Sequence, residues 1–176
     1  EASFGGDGAL MVNGEVIDAR KVIIATGTRP ALPSITGIDG VPYLTSTTAL
    51  ELETLPKSLL IIGAGYIGAE IAQIFARAGV DVTIVSRRGL LPEAEPEISE
   101  ALSCYFQDEG IRLVSGIVYD RIEGDDNALR LHVEDATGAH VLSAEKVMIA
   151  SGRTANTDHL NLDAAGIETG SNGSVN

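Results

Sequence analysis

Gly63-Ala64-Gly65-Tyr66-Ile67-Gly68 stands between an unbroken apolar run, Leu59-Leu60-Ile61-Ile62, and a stretch with helical periodicity. In that setting each glycine has a mechanical task. The first allows a tight turn, the second admits a pyrophosphate against bare backbone, and the third lets helix and strand pack closely. The helix start then offers unpaired N–H donors and a partial positive charge to phosphate groups. The alternative is a glycine-rich turn that only joins a strand to a helix. An acidic residue about 20 residues further on would accept hydrogen bonds from the ribose of NAD. Here the chain reads Ser86-Arg87-Arg88 at that place. Guanidinium groups pair bidentately with phosphate, so the 2′-phosphate of NADP is the better fit. One of the two arginines is also readable as a solvated charge offsetting an acidic total.

Other residue types that do chemistry are sparse. The single Cys104 excludes an internal disulfide, a cysteine metal cluster and a dithiol pair within the chain. It falls in an amphipathic helical pattern and reads as a structural thiol on the interior or interface side. His132, His140 and His159 have no motif partner, so neither metal binding nor catalysis is assigned to them. A net charge of −13 argues against nucleic acid as a partner. No apolar run approaches the roughly 20 residues of a membrane span, and Glu1-Ala2-Ser3-Phe4 does not look like an export signal. The default compartment is therefore the cytoplasm.

The elements that must carry the glycine turn can be read from periodicity. Short strands are expected at Ala9–Val12, Glu15–Ile17 and Lys21–Ala25, followed by Thr26-Gly27. Three prolines and two glycines between Thr28 and Tyr43 indicate an extended connector. Thr45-Ser46-Thr47-Thr48 caps a helix over Ala49–Glu53 that Pro56 ends. Leu59–Ile62 and Val82–Val85 lack polar alternation, as strands covered on both faces do, and Ile67, Ile71, Ile74, Phe75 and Ala78 share the face of the helix between them. A second helix opens at Pro96 and runs through Phe106, with Ile98, Leu102, Tyr105 and Phe106 as its apolar face. Strands around Ile111–Val114, Ile117–Ile122, Ala128–Val133 and His140–Leu142 look like an antiparallel meander, and Lys146–Ala150 returns as a buried strand. The expected fold is α/β: a Rossmann-like βαβ parallel sheet with an inserted antiparallel β-meander.

Two strand ends echo each other on either side of this unit, Ile24-Ala25-Thr26-Gly27-Thr28-Arg29-Pro30 and Ile149-Ala150-Ser151-Gly152-Arg153-Thr154. A plain dinucleotide-binding domain has no need of them, and they suggest crossing points into another domain. With the glycine turn, Glu70 and Asn156-Thr157, they resemble the two-dinucleotide-domain flavoproteins, the pyridine nucleotide-disulfide oxidoreductase family. Within it, Pro42–Thr47 and Asn161–Gly170 are most similar to the mercuric reductases. Ala155 stands where members often carry proline, and Ser151 where threonine is usual.

The resemblance implies an NADPH-binding domain over 44–150 between partial FAD-domain segments at 1–43 and 151–176. It implies that Gly63, Gly65, Tyr66, Ile67, Gly68, Glu70, Ser86, Arg87, Arg88 and Gly152 serve NADP, with Tyr66 and Glu70 at the nicotinamide pocket. Ala25, Thr26, Gly27, Arg29 and Arg153 would serve FAD. The enzyme implied passes electrons from NADPH through FAD to a cysteine pair and on to Hg(II), or, in glutathione-reductase-like or lipoamide-dehydrogenase-like relatives, to a disulfide. A homodimer is implied for the full-length protein. The chain carries neither a second dinucleotide turn nor a Cys-x-x-x-x-Cys pair, so it reads as part of a longer protein, inactive alone. A non-catalytic NADP sensor and a single-domain reductase are the readings from other classes; the flanking strand ends speak against the first, and the lack of a Tyr-x-x-x-Lys pair against the second.

Overall fold

Residues 1–176 are described by a computed structural model, in which the backbone separates into two units, 1–30 with 153–176 and 31–152. In the smaller unit Ala2–Phe4 (β1), Leu10–Val12 (β2) and Glu15–Ile17 (β3) form an antiparallel three-stranded sheet in chain order. Thr28–Pro30 (β4) follows. The segment Lys21–Ala25, expected as a strand, joins no ladder, and Ile23 in its middle is 90% exposed. An apolar run of this kind becomes a strand only when neighbours complete its hydrogen bonds, and no strand of the unit does so.

The larger unit is built on an open parallel sheet. Ser46–Leu50 (α1) is capped at Thr45 by a capping box with Thr48 and ends earlier than the expected Glu53. Then come Ser58–Ile62 (β5), Tyr66–Arg77 (α2), Asp81–Ser86 (β6), Pro96–Asp108 (α3) and Arg112–Ser115 (β7). Val118–Gly124 (β8), Leu129–Asp135 (β9) and Gly138–Ala144 (β10) make the meander, and Lys146–Ile149 (β11) returns to the sheet, whose order is β11-β5-β6-β7 with every pairing parallel. The strand around Ile111–Val114 thus belongs to the parallel sheet and not to the meander. It follows a helical crossover from β6, the connection parallel neighbours require. Finally Arg153–Ala155 (β12), back in the smaller unit, pairs antiparallel with β4.

Side chains that alternate along the strands divide the core of the larger unit in two. Leu59, Ile61, Val82, Ile84 and Met148 pack on one face against Ala49 of α1, Ile71, Ala72 and Phe75 of α2, and Phe106 of α3. Leu60, Ile62, Val85, Val147 and Ile149 meet the meander residues Ile122, Leu129, Leu131 and Val133 on the other, together with Ile35, Ile38 and Val41. The connector after residue 30 is therefore core material of this unit. The expected helix faces are narrower than their patterns: Ile74 on α2 and Ile98 and Tyr105 on α3 are exposed. Cys104 is also exposed, since two residues from Leu102 puts it roughly 200° around the helix from the packed stripe. Where α2 and α3 end, Glu109 accepts from Arg77 Nη2 at 2.7 Å and from Gln73 Nε2 at 2.8 Å.

Candidate coenzyme site

The glycine turn lies at the carboxyl end of β5, and the three glycines have three different reasons to be glycine. Gly63 has φ 115°, and a Cβ there would lie 2.3 Å from the Ala150 carbonyl oxygen. A Cβ on Gly68 would lie 2.4 Å from the Gly63 oxygen, so the first turn of α2 packs directly on the glycine loop. Gly65 is unlike both: its φ of −80° suits any residue, and a Cβ would meet nothing within 4 Å. The space beside it is the space a phosphate group needs in order to touch bare backbone.

Gly65 also caps α2 without any side-chain hydrogen bond. The first helical bond runs from Ala69 N–H to the Gly65 oxygen, leaving the amides of Tyr66, Ile67 and Gly68 ahead of any helical acceptor. Those amides, with the helix dipole behind them, favour an anion. The donor set and the open cradle fit a dinucleotide pyrophosphate.

The segment after β6 is folded back onto this turn. Leu91, in the left-handed conformation at φ 43°, donates its N–H to the Ala64 oxygen at 2.8 Å, and Leu90 and Leu91 are both buried. Ser99 of α3 donates to the Leu91 oxygen at 3.0 Å and holds the loop from its other side. The parallel pairing of β6 with β5, closed by the Gly63 N–H to the Val85 oxygen, brings Ser86 beside the glycine turn, and Arg87 and Arg88 follow it. Ser86 is buried and accepts the Arg88 N–H at 3.1 Å. The Arg88 guanidinium is paired with Glu93 at 2.8 Å, both side chains being largely exposed, whereas Arg87 makes no ion pair.

Two groups that the sequence did not single out tighten this corner. The Val85 carbonyl accepts both the Gly63 N–H at 2.8 Å and the hydroxyl of Tyr119 on β8 at 3.2 Å. Burial pushes the Tyr119 phenol up to about 12, opposed by the positive charge of nearby Arg87, so the hydroxyl keeps its proton and donates. Leu91 has no sequence signature at all, because a left-handed leucine is forced by its surroundings and not by its type.

Tyr66 is 62% exposed on the first turn of α2, its ring standing clear of the core, and Glu70 is exposed one turn later on the same side. At the end of β11 the Ser151 hydroxyl donates to the Ala31 oxygen, and Ala31 N–H donates to Gly152, which has φ 135°. These residues directly follow Ala150, against which Gly63 is packed.

In the smaller unit the echoing strand ends meet each other. Asn156 donates to the Thr26 oxygen through its side chain and to the Gly27 oxygen through its N–H. Arg29 donates to the Ala155 oxygen and to Asn156 Oδ1, and is paired with Asp158. Arg153 donates to the hydroxyl and carbonyl of Thr28. Ala25, Thr26 and Gly27 are exposed, while both guanidinium groups are engaged by protein acceptors. His132 contacts Glu123 and His140 contacts Asp135, and no three side chains of metal-binding type converge. No helix is long and apolar enough to cross a membrane.

Residues 3–176 match the family model described as pyridine nucleotide-disulphide oxidoreductase. The mercuric reductase of Staphylococcus aureus is 42% identical over 99% of this chain and that of Bacillus cereus 43% identical over 99%. A soluble pyridine nucleotide transhydrogenase of Pseudomonas putida is 38% identical over 92%. The chain spans about a third of the length of these relatives, 32%, 28% and 34% respectively. Among solved structures, the HOCl-induced flavoprotein disulfide reductase RclA of Escherichia coli superposes with a TM-score of 0.85 at 34% identity, covering all of this chain and 40% of that one. The glycine turn, the parallel sheet and the match over almost every residue together make this chain a member of the pyridine nucleotide-disulphide oxidoreductase family.

Proposed function

We propose that the larger unit, residues 31–152 with the expected span 44–150 inside it, is the NADPH-binding domain of a flavin-dependent oxidoreductase, with 1–30 and 153–176 belonging to its FAD domain. The observation that carries this is Gly65: an open helix start with no side-chain cap, whose glycine nothing inside the protein requires. Gly63, Gly65, Ile67 and Gly68 hold the pyrophosphate on backbone, Ser86, Arg87 and Arg88 take the 2′-phosphate, and Tyr66, Glu70 and Gly152 face the nicotinamide. Ala25, Thr26, Gly27, Arg29 and Arg153 lie on the FAD side, where Arg29 and Arg153 serve first to join β4 to β12.

NADPH supplies the hydride when bound, and FAD carries the electrons to a cysteine pair elsewhere in the complete, dimeric and cytoplasmic protein. Hg(II) is the acceptor this reading favours, because relatives matching almost the whole chain are named mercuric reductases. A disulfide acceptor is the second reading, supported by the likeness to structures named as disulfide reductases. NADPH oxidation by the holoenzyme with Hg(II) or with small disulfides as acceptor separates the two. Coenzyme choice is tested by calorimetric titration with NADP+ and NAD+. Arg87→Glu is expected to weaken NADP+ at least about tenfold and NAD+ far less; equal losses contradict the assignment.

A further inference from the structure

We propose that Tyr119 is a positioning residue for coenzyme choice: its hydroxyl steadies the Val85 carbonyl and so sets where Ser86, Arg87 and Arg88 stand relative to the glycine turn. The inference rests on the reading of that segment as the 2′-phosphate site.

A carbonyl oxygen has two acceptor directions, and at Val85 both are used, one by Gly63 N–H and one by Tyr119. The Val85 carbonyl and the Ser86 N–H belong to one planar peptide unit. With the Gly63 N–H bond as a pivot, rotation of that plane therefore moves the start of the Ser86-Arg87-Arg88 segment while the glycine turn stays in place. Gly63 fixes the plane from the glycine turn, and Tyr119 fixes it from the meander. Tyr119 is well placed for the task. It lies opposite Val133 on the inward face of β8, its ring packs against the core on that side, and the β8–β9 register shifts immediately after it, between Tyr119 and Arg121. The bulge re-aims the strand at this point, as bulges beside binding sites do. Arg87 lies close enough for its charge to act on the phenol. Arg87 has no carboxylate partner of its own, so the backbone beneath it has the larger share in where its guanidinium points.

The test is Tyr119→Phe in the flavin-loaded holoprotein, read by titration with NADP+ and NAD+ and by thermal unfolding. The ring stays, and the Val85 carbonyl keeps Gly63 as a partner, so the variant leaves neither a cavity nor an orphaned group. Its unfolding midpoint is expected to move by less than about 4 °C. NADP+ affinity is expected to fall about three- to tenfold while NAD+ affinity changes by less than about twofold. Repeating the substitution in an Arg87→Gln background should erase most of the NADP+ effect, because Tyr119 acts through that guanidinium. Equal weakening of both coenzymes, an unchanged ratio, or a full effect without Arg87 overturns the role of Tyr119. If the parent protein does not prefer NADP+ at all, the 2′-phosphate assignment fails first and this inference with it.

Discussion

At the scale of single residues, the three glycines separate folding from binding in a way a single motif string conceals. Gly63→Ala forces a left-handed backbone on a residue that resists it and drives a Cβ to 2.3 Å from Ala150 oxygen, so it should destabilise the larger unit by about 2 kcal/mol or more. Gly65→Val places its side chain in open space at an ordinary φ, so stability should fall by no more than about 1 kcal/mol while coenzyme affinity drops at least about tenfold. Thermal unfolding and calorimetric titration of the two variants check the contrast; a Gly65→Val protein that binds normally would remove the phosphate from this turn. Glu93 offers a milder probe. It holds Arg88 in an exposed pair of the kind that contributes little to stability. Glu93→Gln should therefore leave unfolding unchanged and raise NADP+ affinity about two- to threefold at low salt, the gain fading near about 0.5 M salt as screening shortens the reach of the freed charge.

At the scale of elements, the β9–β10 turn is tied by Asp135, which accepts from the Thr137 side chain and N–H and from His140. These hydrogen bonds, the Thr137 side chain first, hold its carboxyl below the usual carboxylate range, down to about 2. A carboxylate with a depressed value stabilises the folded turn at every pH above its unfolded value. That contribution fades as pH falls from about 4 toward about 2. The Thr137 amide should stay protected against hydrogen exchange at pH 5 and lose protection across that interval, and in Asp135→Ala it should exchange fast throughout; protection that ignores both changes would show the turn is held by the ladder alone.

The same scale shows what could be read in advance. The near-continuous apolar runs within β5 and β6 and the glycine spacing between them announced a parallel unit, because burial on both faces leaves little room for polar alternation. Pairing partners were less legible: Ile111–Val114 has the composition of any strand, and only the crossover through α3 sends it to the parallel sheet. Lys21–Ala25 has the composition of a strand and no partner, so composition alone could not decide its state. Tyr119 and Leu91 escaped notice because each reaches across a long stretch of chain, to Val85 and to Ala64, and neither residue type carries a motif.

At the scale of the whole molecule, the two units are unequal in what holds them. Every residue of both large hydrophobic clusters lies within 31–152, as do the glycine turn, the Ser86-Arg87-Arg88 segment, Tyr119 and Gly152. The smaller unit has short three-residue strands, and it carries the exposed Val22 and Ile23. A unit that owns its core is expected to fold by itself, and exposed apolar runs outside it are expected to promote association. Residues 31–152 expressed alone should therefore unfold in one cooperative calorimetric transition and bind NADP+ within about twofold of the affinity of the 176-residue chain. In the longer chain, Ile23→Asp should reduce self-association in sedimentation runs and leave that affinity untouched, because the residue lies outside the unit that carries the glycine turn. Loss of a cooperative transition in 31–152, or a tenfold loss of NADP+ affinity, would mean that the coenzyme site draws on residues of the smaller unit.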